Sequence, residues 1–335
     1  MGTRDAVRLV DVALLAGVTA STASRALSRP EMVRPETRAR VEAAACTLGY
    51  VPNRMARAIV TGRSRTIVFV VPDLTSPLFS MLARAAQSEA RQRGYDVLVA
   101  DSLSDTRREA GLIEDARRYA EGIIVCMPQG TYQPEPGRAP IVAINRRMRG
   151  AHAVLLDQAA VVEQQLAHLV GLGHERIVYL DGPKQYWATY ERRRHAERLA
   201  RQFPVEISEP IAPWFHGGYE YADRIDPEVT AVMAFSDTQA AGVVARLAEN
   251  GRRVPHDLSV IGSNDIPIAA MYNPALTTMR TPLDAMGRAA VSLLLDNVDG
   301  AEGPAIIETM TSELVVRRST APPGRSAPSR AGGPA

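Results

Sequence analysis

The sequence has few cysteines and no long apolar run, and each shortage excludes a class of protein. Cys46 and Cys126 lie far apart and outside any metal-ligand spacing, so we expect two small core residues rather than a disulfide scaffold or a metal site. No apolar run approaches the ~18 residues of a transmembrane helix, and the N-terminus lacks the apolar core of a secretion signal. The sequence therefore predicts a cytoplasmic protein without a membrane partner.

The sequence also lacks the loops that bind common cofactors. The turn after the first predicted strand, residues 72–77, has neither the Gly-x-Gly-x-x-Gly fingerprint nor a phosphate-loop lysine. Lys184 is the only lysine in the chain, and no Ser/His/Asp or metal-ligand cluster is evident. We therefore expect no cofactor, no metal and no catalytic residue, which leaves an α/β enzyme as a disfavoured alternative.

Charge is unevenly distributed along a chain whose formal net charge is only +2. Residues 1–65 carry eleven arginines against five acidic residues, and the stretch from Arg317 to the end carries four arginines and no acidic residue. The body between them is therefore strongly acidic. A basic head on an acidic body is typical of a protein that binds nucleic acid through one module.

The head contains the pattern of two short helices joined by a tight turn, within residues 11–27. Gly17 permits the turn, and Thr19 is a suitable N-cap for a second helix at about residues 20–28. Apolar residues at helical spacing predict one buried face on each helix. The second helix would bury Ala23, Ala26 and Leu27, which leaves its small polar residues and Arg25 free to meet the edges of DNA bases.

Two further helices are predicted in the head. One, at about residues 35–48, begins with Pro35 and Glu36 and would cover the open side of the first pair. The other begins after Asn53 and has no core of its own. Because so short a helix is marginal in water, we expect it to fold only against DNA or a second copy of itself.

From residue 66 onward, apolar runs of strand length alternate with amphipathic helices, and the alternation begins again near Asp157. This pattern predicts two α/β lobes, each with a doubly wound, mostly parallel sheet. Ligands of such folds bind at the carboxyl ends of the strands, so the cleft between the lobes is the predicted ligand site. The residues after Thr320 are rich in Pro, Ser, Gly, Ala and Arg and are predicted to be disordered.

Short motifs lie at residues 11–13, 16–18, 22–25, 33–38, 48–54 and 56–57 in the head, and at residues 70–79, 171–174, 254–262, 273–278 and 314–317 in the body. In these motifs and in their order, the sequence resembles the LacI/GalR (lactose repressor/galactose repressor) family of transcriptional regulators over residues 6–320.

This resemblance implies a helix-turn-helix DNA-binding domain, a hinge and a two-lobed periplasmic-binding-protein-like domain for effector binding and dimerisation. The implied boundaries are 1–52 for the DNA-binding domain, 53–65 for the hinge helix and linker, 66–320 for the two lobes and 321–335 for the disordered tail. Within the lobes, they are about 66–156 plus 282–316 for the first and about 157–281 for the second.

The resemblance further implies that the second helix reads the major groove and that the hinge helix enters the minor groove, with Ile59 in place of the usual leucine wedge. Arg8 stands where the family commonly has a Thr or Ser that caps the first helix, so that end is expected to be looser. The implied DNA contacts are Thr19, Ala20, Ser21, Thr22, Ser24, Arg25, Asn53, Arg54, Ala56, Arg57 and Ile59.

The implied effector is a sugar or sugar derivative, whose hydroxyls need polar groups and whose ring needs aromatic faces. Arg192 occupies the family's effector-binding arginine position, and Asn264 stands where an aspartate is frequent. Each candidate could instead cap a loop or fill a lobe core. The candidates are Asp73, Ser76, Phe79, Ser102, Met127 and Arg146 in the first lobe, and Tyr186, Trp187, Arg192, Trp214, Asp237 and Asn264 in the second.

Together these features predict a homodimeric, sequence-specific regulator, a repressor, that binds a near-palindromic operator in double-stranded DNA and responds to a sugar-like effector. The second alternative is a free sugar-binding protein of the same lobe fold. The basic head and the missing secretion signal disfavour it.

Overall fold

The computed structural model describes residues 7–28, 30–50, 63–132, 135, 138–298 and 304–324. They belong to two compact units, one within residues 1–65 and one within residues 66–335. Among these residues, no single helix is long and apolar enough to span a membrane. Leu9–Leu15 and Ala20–Ser28 reach that length and apolarity only as a pair, across a bend of 102°.

The described residues of the head form a bundle of three short helices, α1 (Leu9–Leu15), α2 (Ala20–Ser28) and α3 (Pro35–Leu48), with a 3-10 turn at Pro30–Met32 before α3. Gly17 has a φ of +65°, a conformation that glycine adopts without strain, and it allows α2 to turn away from α1. Small side chains let the helices pack closely, and the buried ones are Val12, Ala13, Ala16, Ala23, Ala26, Val41, Ala44 and Ala45.

One expectation for the head is wrong. Cys46 is exposed on α3, whereas Cys126 is buried as predicted. Ala44 and Ala45, next to Cys46, fill the core side of the helix instead. A residue one position further along a helix is rotated by about 100°, so Cys46 falls outside the buried stripe.

The N-terminus of α1 has only half of a capping box. The carboxylate of Asp11 accepts a hydrogen bond from the backbone N–H of Arg8 at 2.8 Å. The Arg8 side chain carries only donors, so it cannot accept a hydrogen bond from the first-turn N–H groups. The geometry therefore agrees with the predicted loss of a cap at this position.

Replacing Arg8 with threonine is expected to complete the capping box and to stabilise α1 by about 1 kcal/mol. The expected observation is a roughly fivefold slowing of hydrogen exchange at the amides of the first turn of α1, measured in the whole chain. Arg8→Ala is the matched control because it removes the guanidinium without supplying an acceptor. Equal exchange rates in the two variants would contradict the capping argument.

The described part of the body contains two six-stranded sheets. The first lobe comprises β1 (Thr66–Val71), α4 (Pro77–Gln92), β2 (Asp96–Asp101), α5 (Thr106–Ala116), β3 (Gly122–Cys126), β4 (Ile141–Ile144) and β5 (His152–Leu156). The second comprises α6 (Gln158–Gly171), β6 (Ile177–Leu180), α7 (Trp187–Leu199), β7 (Val205–Ile207), α8 (Phe215–Tyr221), a 3-10 turn (Ala222–Arg224), β8 (Ala231–Ala234), α9 (Asp237–Glu249), β9 (Ser259–Asn264), α10 (Pro267–Met271) and β10 (Thr277–Arg280). The last elements in the described part of the chain are α11 (Leu283–Asp296), β11 (Ile307–Met310) and β12 (Glu313–Val315).

The strand orders are β11-β5-β4-β3-β1-β2 in the first sheet and β12-β10-β9-β8-β6-β7 in the second. Every strand pair formed by described residues is parallel except β10 with β12. Consecutive residues of β1, such as Phe69 and Val70, face different apolar clusters because side chains alternate along a strand. Helices therefore cover both faces of each sheet, and the predicted doubly wound α/β architecture is confirmed.

The C-terminal part of the chain contributes one strand to each sheet. α11 and β11 return to the first lobe as predicted, where β11 pairs with β5. The predicted return extended to residue 316, but β12 pairs with β10 and so belongs to the second sheet.

The first residues of the predicted disordered tail are ordered instead. The backbone of Ala321 exchanges two hydrogen bonds with the Ser259 hydroxyl, and its carbonyl also lies 2.9 Å from Nε2 of His174. Residues 321–324 are therefore held against the second lobe, and residues 325–335 lie outside the described part of the chain.

Candidate DNA interface and effector cleft

The outward face of α2 carries the residues predicted to read DNA. Ala20, Ser21 and Arg25 are exposed, and Thr22 and Ser24 are half-buried, whereas Ala23 and Ala26 are buried on the opposite face. Thr19 is exposed and caps the helix, since its hydroxyl accepts a hydrogen bond from the N–H of Thr22 at 3.2 Å. The division between buried and exposed residues agrees with the sequence prediction except at Leu27, which is half-buried against the head core.

Two features of α2 suit a groove in DNA. The side chain of Ala20 is small, so the start of the helix can approach base edges closely. Ser21 places a hydroxyl 3.0 Å from that of Thr19, and Nε of Arg25 donates to the carbonyl of Ser21 at 3.3 Å. The Arg25 guanidinium thus lies along the exposed face, where it can exchange this bond for one to a base. The remaining predicted contacts, Asn53, Arg54, Ala56, Arg57 and Ile59, lie outside the described residues.

The carboxyl ends of the strands of both sheets carry an unusual concentration of backbone conformations with positive φ. Six of the seven such non-glycine residues in the described part of the chain follow or end β2, β3, β4 or β9: Leu103, Ser104, Met127, Asn145, Asn264 and Asp265. Such conformations cost energy in most residues and cluster at ligand sites. The strand-end loops therefore have the strained geometry expected of a binding edge.

Aromatic residues join the two lobes at this edge. Tyr186 and Phe235 of the second lobe belong to the same buried apolar cluster as Phe79 and Met127 of the first, and Trp214 packs against it. The hydroxyl of Tyr186 also lies 3.4 Å from that of Ser104. Four predicted effector residues, Phe79, Met127, Tyr186 and Trp214, thus lie in or against one apolar cluster.

The remaining aromatic candidate points elsewhere. Trp187 follows Tyr186 directly but packs against the apolar cluster on the opposite face of the first sheet, with Leu155 among its members. The two adjacent side chains therefore contact different faces of the first lobe. Only one of them can contribute to the aromatic cluster in the cleft.

Arg192 is buried between the cleft and the chain crossing that starts α6. Its Nε donates to Oε1 of Gln158 at 2.6 Å, and Nη1 donates to the carbonyl of Phe235 at 2.9 Å. The guanidinium carbon lies 4.7 Å from the centre of the Phe235 ring, and burial lowers the pKa of the group. A ligand that contacts Arg192 has to share the guanidinium with these acceptors. No sequence signal singled out Gln158, because it meets Arg192 only through the tertiary fold.

Asp237 lies beneath the cleft edge rather than at its surface. Its side chain is fully buried, with one carboxylate oxygen accepting from the hydroxyl of Thr278 and the other from the N–H of Ile266 at 2.9 Å. Burial raises the pKa of Asp237 from 3.8 to about 7, and the two hydrogen bonds and Arg317 oppose that rise. In this arrangement Asp237 positions the loop after β9.

This carboxyl predicts a specific pH dependence of stability. The folded chain keeps the proton up to about pH 7, whereas the unfolded chain loses it near 3.8, so stability falls as pH rises between these values. The slope is at most about 1.4 kcal/mol per pH unit for one group. Asp237→Asn is expected to remove this contribution, as measured by urea unfolding at several pH values from 4.5 to 7.5. An unchanged slope in the variant would show that the carboxyl does not titrate there.

The other polar candidates are spread along the cleft edge, and most serve the loops. Asp73 and Ser76 are half-buried; Oδ1 of Asp73 accepts from both N–H and O–H of Thr75. Arg146 donates to the carbonyl of Pro128 at 2.6 Å, and Oδ1 of Asn264 lies 3.3 Å from the hydroxyl of Thr281. The Ser102 hydroxyl is buried and has no hydrogen-bond partner among the described residues.

Sequence reasoning missed one anchor of this edge. Glu109 of α5 is buried, and its carboxylate accepts from the N–H groups of Gln129 and Gly130 and, at 2.6 Å, from the hydroxyl of Tyr132. These bonds hold the loop after β3 in place. A single glutamate in an amphipathic helix gives no signal of such a role.

Comparison with known proteins agrees with the geometry. Residues 8–53 match the model of bacterial regulatory proteins of the lacI family, and residues 166–320 match that of the periplasmic binding protein-like domain. The chain is 30% identical over 329 residues to the HTH-type transcriptional repressor CytR of Escherichia coli K12, covering 94% of this chain and 96% of that protein. It is 32% identical over 332 residues to the HTH-type transcriptional regulator GalS of Salmonella typhimurium LT2, covering 94% and 97%.

Two solved structures show the same architecture. The Lac repressor dimer bound to operator and the anti-inducer ONPF superposes with a TM-score of 0.82 at 25% identity, covering 95% of this chain and all of that one. The complex of the transcriptional regulator CelR with cellobiose gives a TM-score of 0.65 at 27% identity, covering 93% and 99%. The match extends over head and lobes together.

Proposed function

Because this chain belongs to the LacI family of bacterial regulatory proteins, we propose that it represses transcription as a dimer on a near-palindromic operator, under the control of a sugar-like effector bound between its lobes. The relatives it matches are transcription regulators rather than enzymes, and we propose no catalytic activity for it. Because bacterial DNA lies in the cytoplasm, we propose that the protein acts there.

The exposed face of α2 is the observation that carries this proposal. Ala20, Ser21 and Arg25 point outward from a helix whose opposite face is held by Ala23 and Ala26. This is the geometry by which a recognition helix enters the major groove. The positive charge of the head supplies the attraction to phosphate that any such complex needs.

Selection of duplexes from a random library tests the proposed function even though the operator sequence is unknown. The full chain is expected to enrich a near-palindromic site, since each subunit of a dimer reads one half. A chain lacking residues 1–60 is the control and is expected to enrich nothing. Failure of the full chain to enrich any sequence, with and without candidate sugars, would contradict the proposal.

An apolar surface on the first lobe supports dimer formation. β2 is the edge strand of its sheet, and Leu98 within it is 51% exposed. Leu74 and Leu103, in the loops next to it, are 42% and 64% exposed. An uncovered edge strand with exposed leucines invites pairing with another chain. On the second lobe, Met271 at the end of α10 is 81% exposed.

Replacing Leu98 with aspartate is expected to weaken the dimer at least tenfold, because it would bury a charge in an apolar interface. Sedimentation velocity over a concentration series measures the change. Ile306→Asp is the matched control, since Ile306 is 46% exposed beside β11 at the opposite edge of the same sheet. Equal dimer affinity in the two variants would place the interface elsewhere.

The aromatic cluster in the cleft supports a sugar-like effector. One of the related structures holds cellobiose, and aromatic faces provide apolar contact for a sugar ring. An effector that entered the cleft would have to part Tyr186 and Phe235 from Phe79 and so alter how the lobes meet. A thermal-shift screen of sugars followed by operator titration tests this step, and we expect the hit to change operator affinity at least fivefold.

A further inference from the structure

A cavity of about 480 Å³ lies between the lobes beside their connections, a volume within the range of small-molecule sites. Arg147 and Thr309 of the first lobe and Trp187 and Arg194 of the second line it, together with Asp157 and Gln158 at the start of α6. Of the residues predicted to bind the effector, only Trp187 is among its lining residues. The cavity is therefore separate from the aromatic cluster in the cleft.

The lining places two arginine side chains, which make few contacts with the described residues, near the aromatic face of Trp187. Arg147 is exposed and has no hydrogen bond or ion pair with the described residues. Arg194 is 68% exposed, and its one ion pair within the described part of the chain is with Glu191 on its own helix, at 3.2 Å, a contact that holds it weakly. Oδ1 of Asp157 accepts from the N–H of Ala160. Both acidic side chains of the lining, Asp157 and Glu191, thus accept a hydrogen bond from the chain itself, whereas the guanidinium of Arg147 has no partner among the described residues.

We propose that this cavity is a second ligand site that binds a small organic anion, a planar ring carrying a carboxylate or phosphate group. The ring would lie against the partly buried indole of Trp187, which is held by the apolar core of the first lobe. The anionic group would accept hydrogen bonds from Arg147 and Arg194, whose planar guanidinium groups suit either carboxylate or phosphate. One arginine comes from each lobe, so the bound anion joins the lobes.

The site has a direct connection to the cleft. Gln158 lines the cavity, and its Oε1 holds Nε of Arg192 at 2.6 Å. A ligand that rotates the Gln158 amide would release one donor of Arg192 towards the cleft. This regulatory consequence depends on the function proposed above, whereas binding of the anion does not.

Fluorescence of Trp187 tests the site directly. The chain has two tryptophans, so Trp214→Phe leaves Trp187 as the only indole. In this background we expect phenyl phosphate or benzoate to change the emission saturably, and the better of the two identifies the anionic group. Benzyl alcohol, which is neutral, and sodium sulfate, which has no ring, are expected to give no saturable change.

Charge variants complete the test. Arg147→Gln combined with Arg194→Gln is expected to weaken binding of the preferred anion at least tenfold, since both charge-assisted contacts are lost. Arg201→Gln, on the exposed side of the chain after α7 and outside the cavity, is the matched control and is expected to bind as the parent does. No saturable change with either anion, or equal affinity in the double variant and the parent, would overturn the proposal. Because neither measurement involves DNA, failure of the proposed anion site would leave the proposed function untouched.

Discussion

Replacing Arg25 with alanine is expected to lower affinity for the selected operator at least tenfold while hardly changing affinity for unrelated duplexes. One arginine contact to guanine contributes about 1–3 kcal/mol of discrimination, and a dimer has two such contacts. The exposed position of Arg25 on α2, one turn from Ser21, places it where a base edge would lie. Fluorescence anisotropy against operator and scrambled duplexes, over a range of salt concentrations, measures both quantities.

The salt dependence decides which kind of contact Arg25 makes. If Arg25 binds phosphate, its substitution would weaken binding to all duplexes alike and reduce the slope of affinity against salt concentration. If it contacts a base, the substitution leaves that slope nearly unchanged. Arg118→Ala is a charge-matched control because Arg118 is 78% exposed on the body. Loss of affinity that is equal for operator and scrambled DNA would show that Arg25 does not read sequence.

Replacing Gly242 with alanine is expected to destabilise the body by about 3 kcal/mol or more, the largest effect on stability among these predictions. A Cβ at Gly242 of α9 would lie 1.9 Å from the carbonyl oxygen of Phe215 and 2.7 Å from the backbone nitrogen of Tyr219 in α8. Gly218 of α8 faces the carbonyl of Gln239 equally closely. The atoms that the new Cβ would meet belong to the backbone of α8, so no side chain can move aside. The helices α8 and α9 would therefore have to separate.

Urea unfolding of the whole chain measures this effect, and Gly111→Ala provides its control. Gly111 also lies inside a helix, α5, but a Cβ there would meet nothing within 4 Å. Because alanine has the better helix propensity, this variant is expected to gain about 0.5–1 kcal/mol. A cost below about 1 kcal/mol at Gly242 would mean that α8 and α9 can part more easily than their spacing indicates.

Local patterns predicted the helices of the head and the order of strands and helices in the body, because each of these elements depends mainly on residues that are close together in the sequence. The burial of Ala23 and Ala26, the turn at Gly17 and the apolar strand at residues 67–71 all follow from spacing along the chain. Short elements were harder to predict. β7 and β12 have three residues each, too few to show a period, and β12 is paired with a strand more than thirty positions earlier.

The cleft was predictable in location but not in detail. Strand ends determine where the candidate residues lie, whereas their contacts depend on side chains brought together by the fold. Arg192 meets Gln158, and Asp237 meets Thr278, 41 positions away in the sequence. Tyr186 and Trp187 are neighbours in sequence yet contact opposite faces of a sheet. The individual DNA and effector contacts accordingly stay predictions.

The polypeptide passes between the lobes three times in the described structure, after β5, after β10 and after β11. A protease that severed any one of these passages would leave two covalent links between the halves. Three connecting segments also resist rotation of one lobe against the other, whereas a single segment would permit it. The lobes are therefore expected to move against each other by bending at these passages rather than by free rotation.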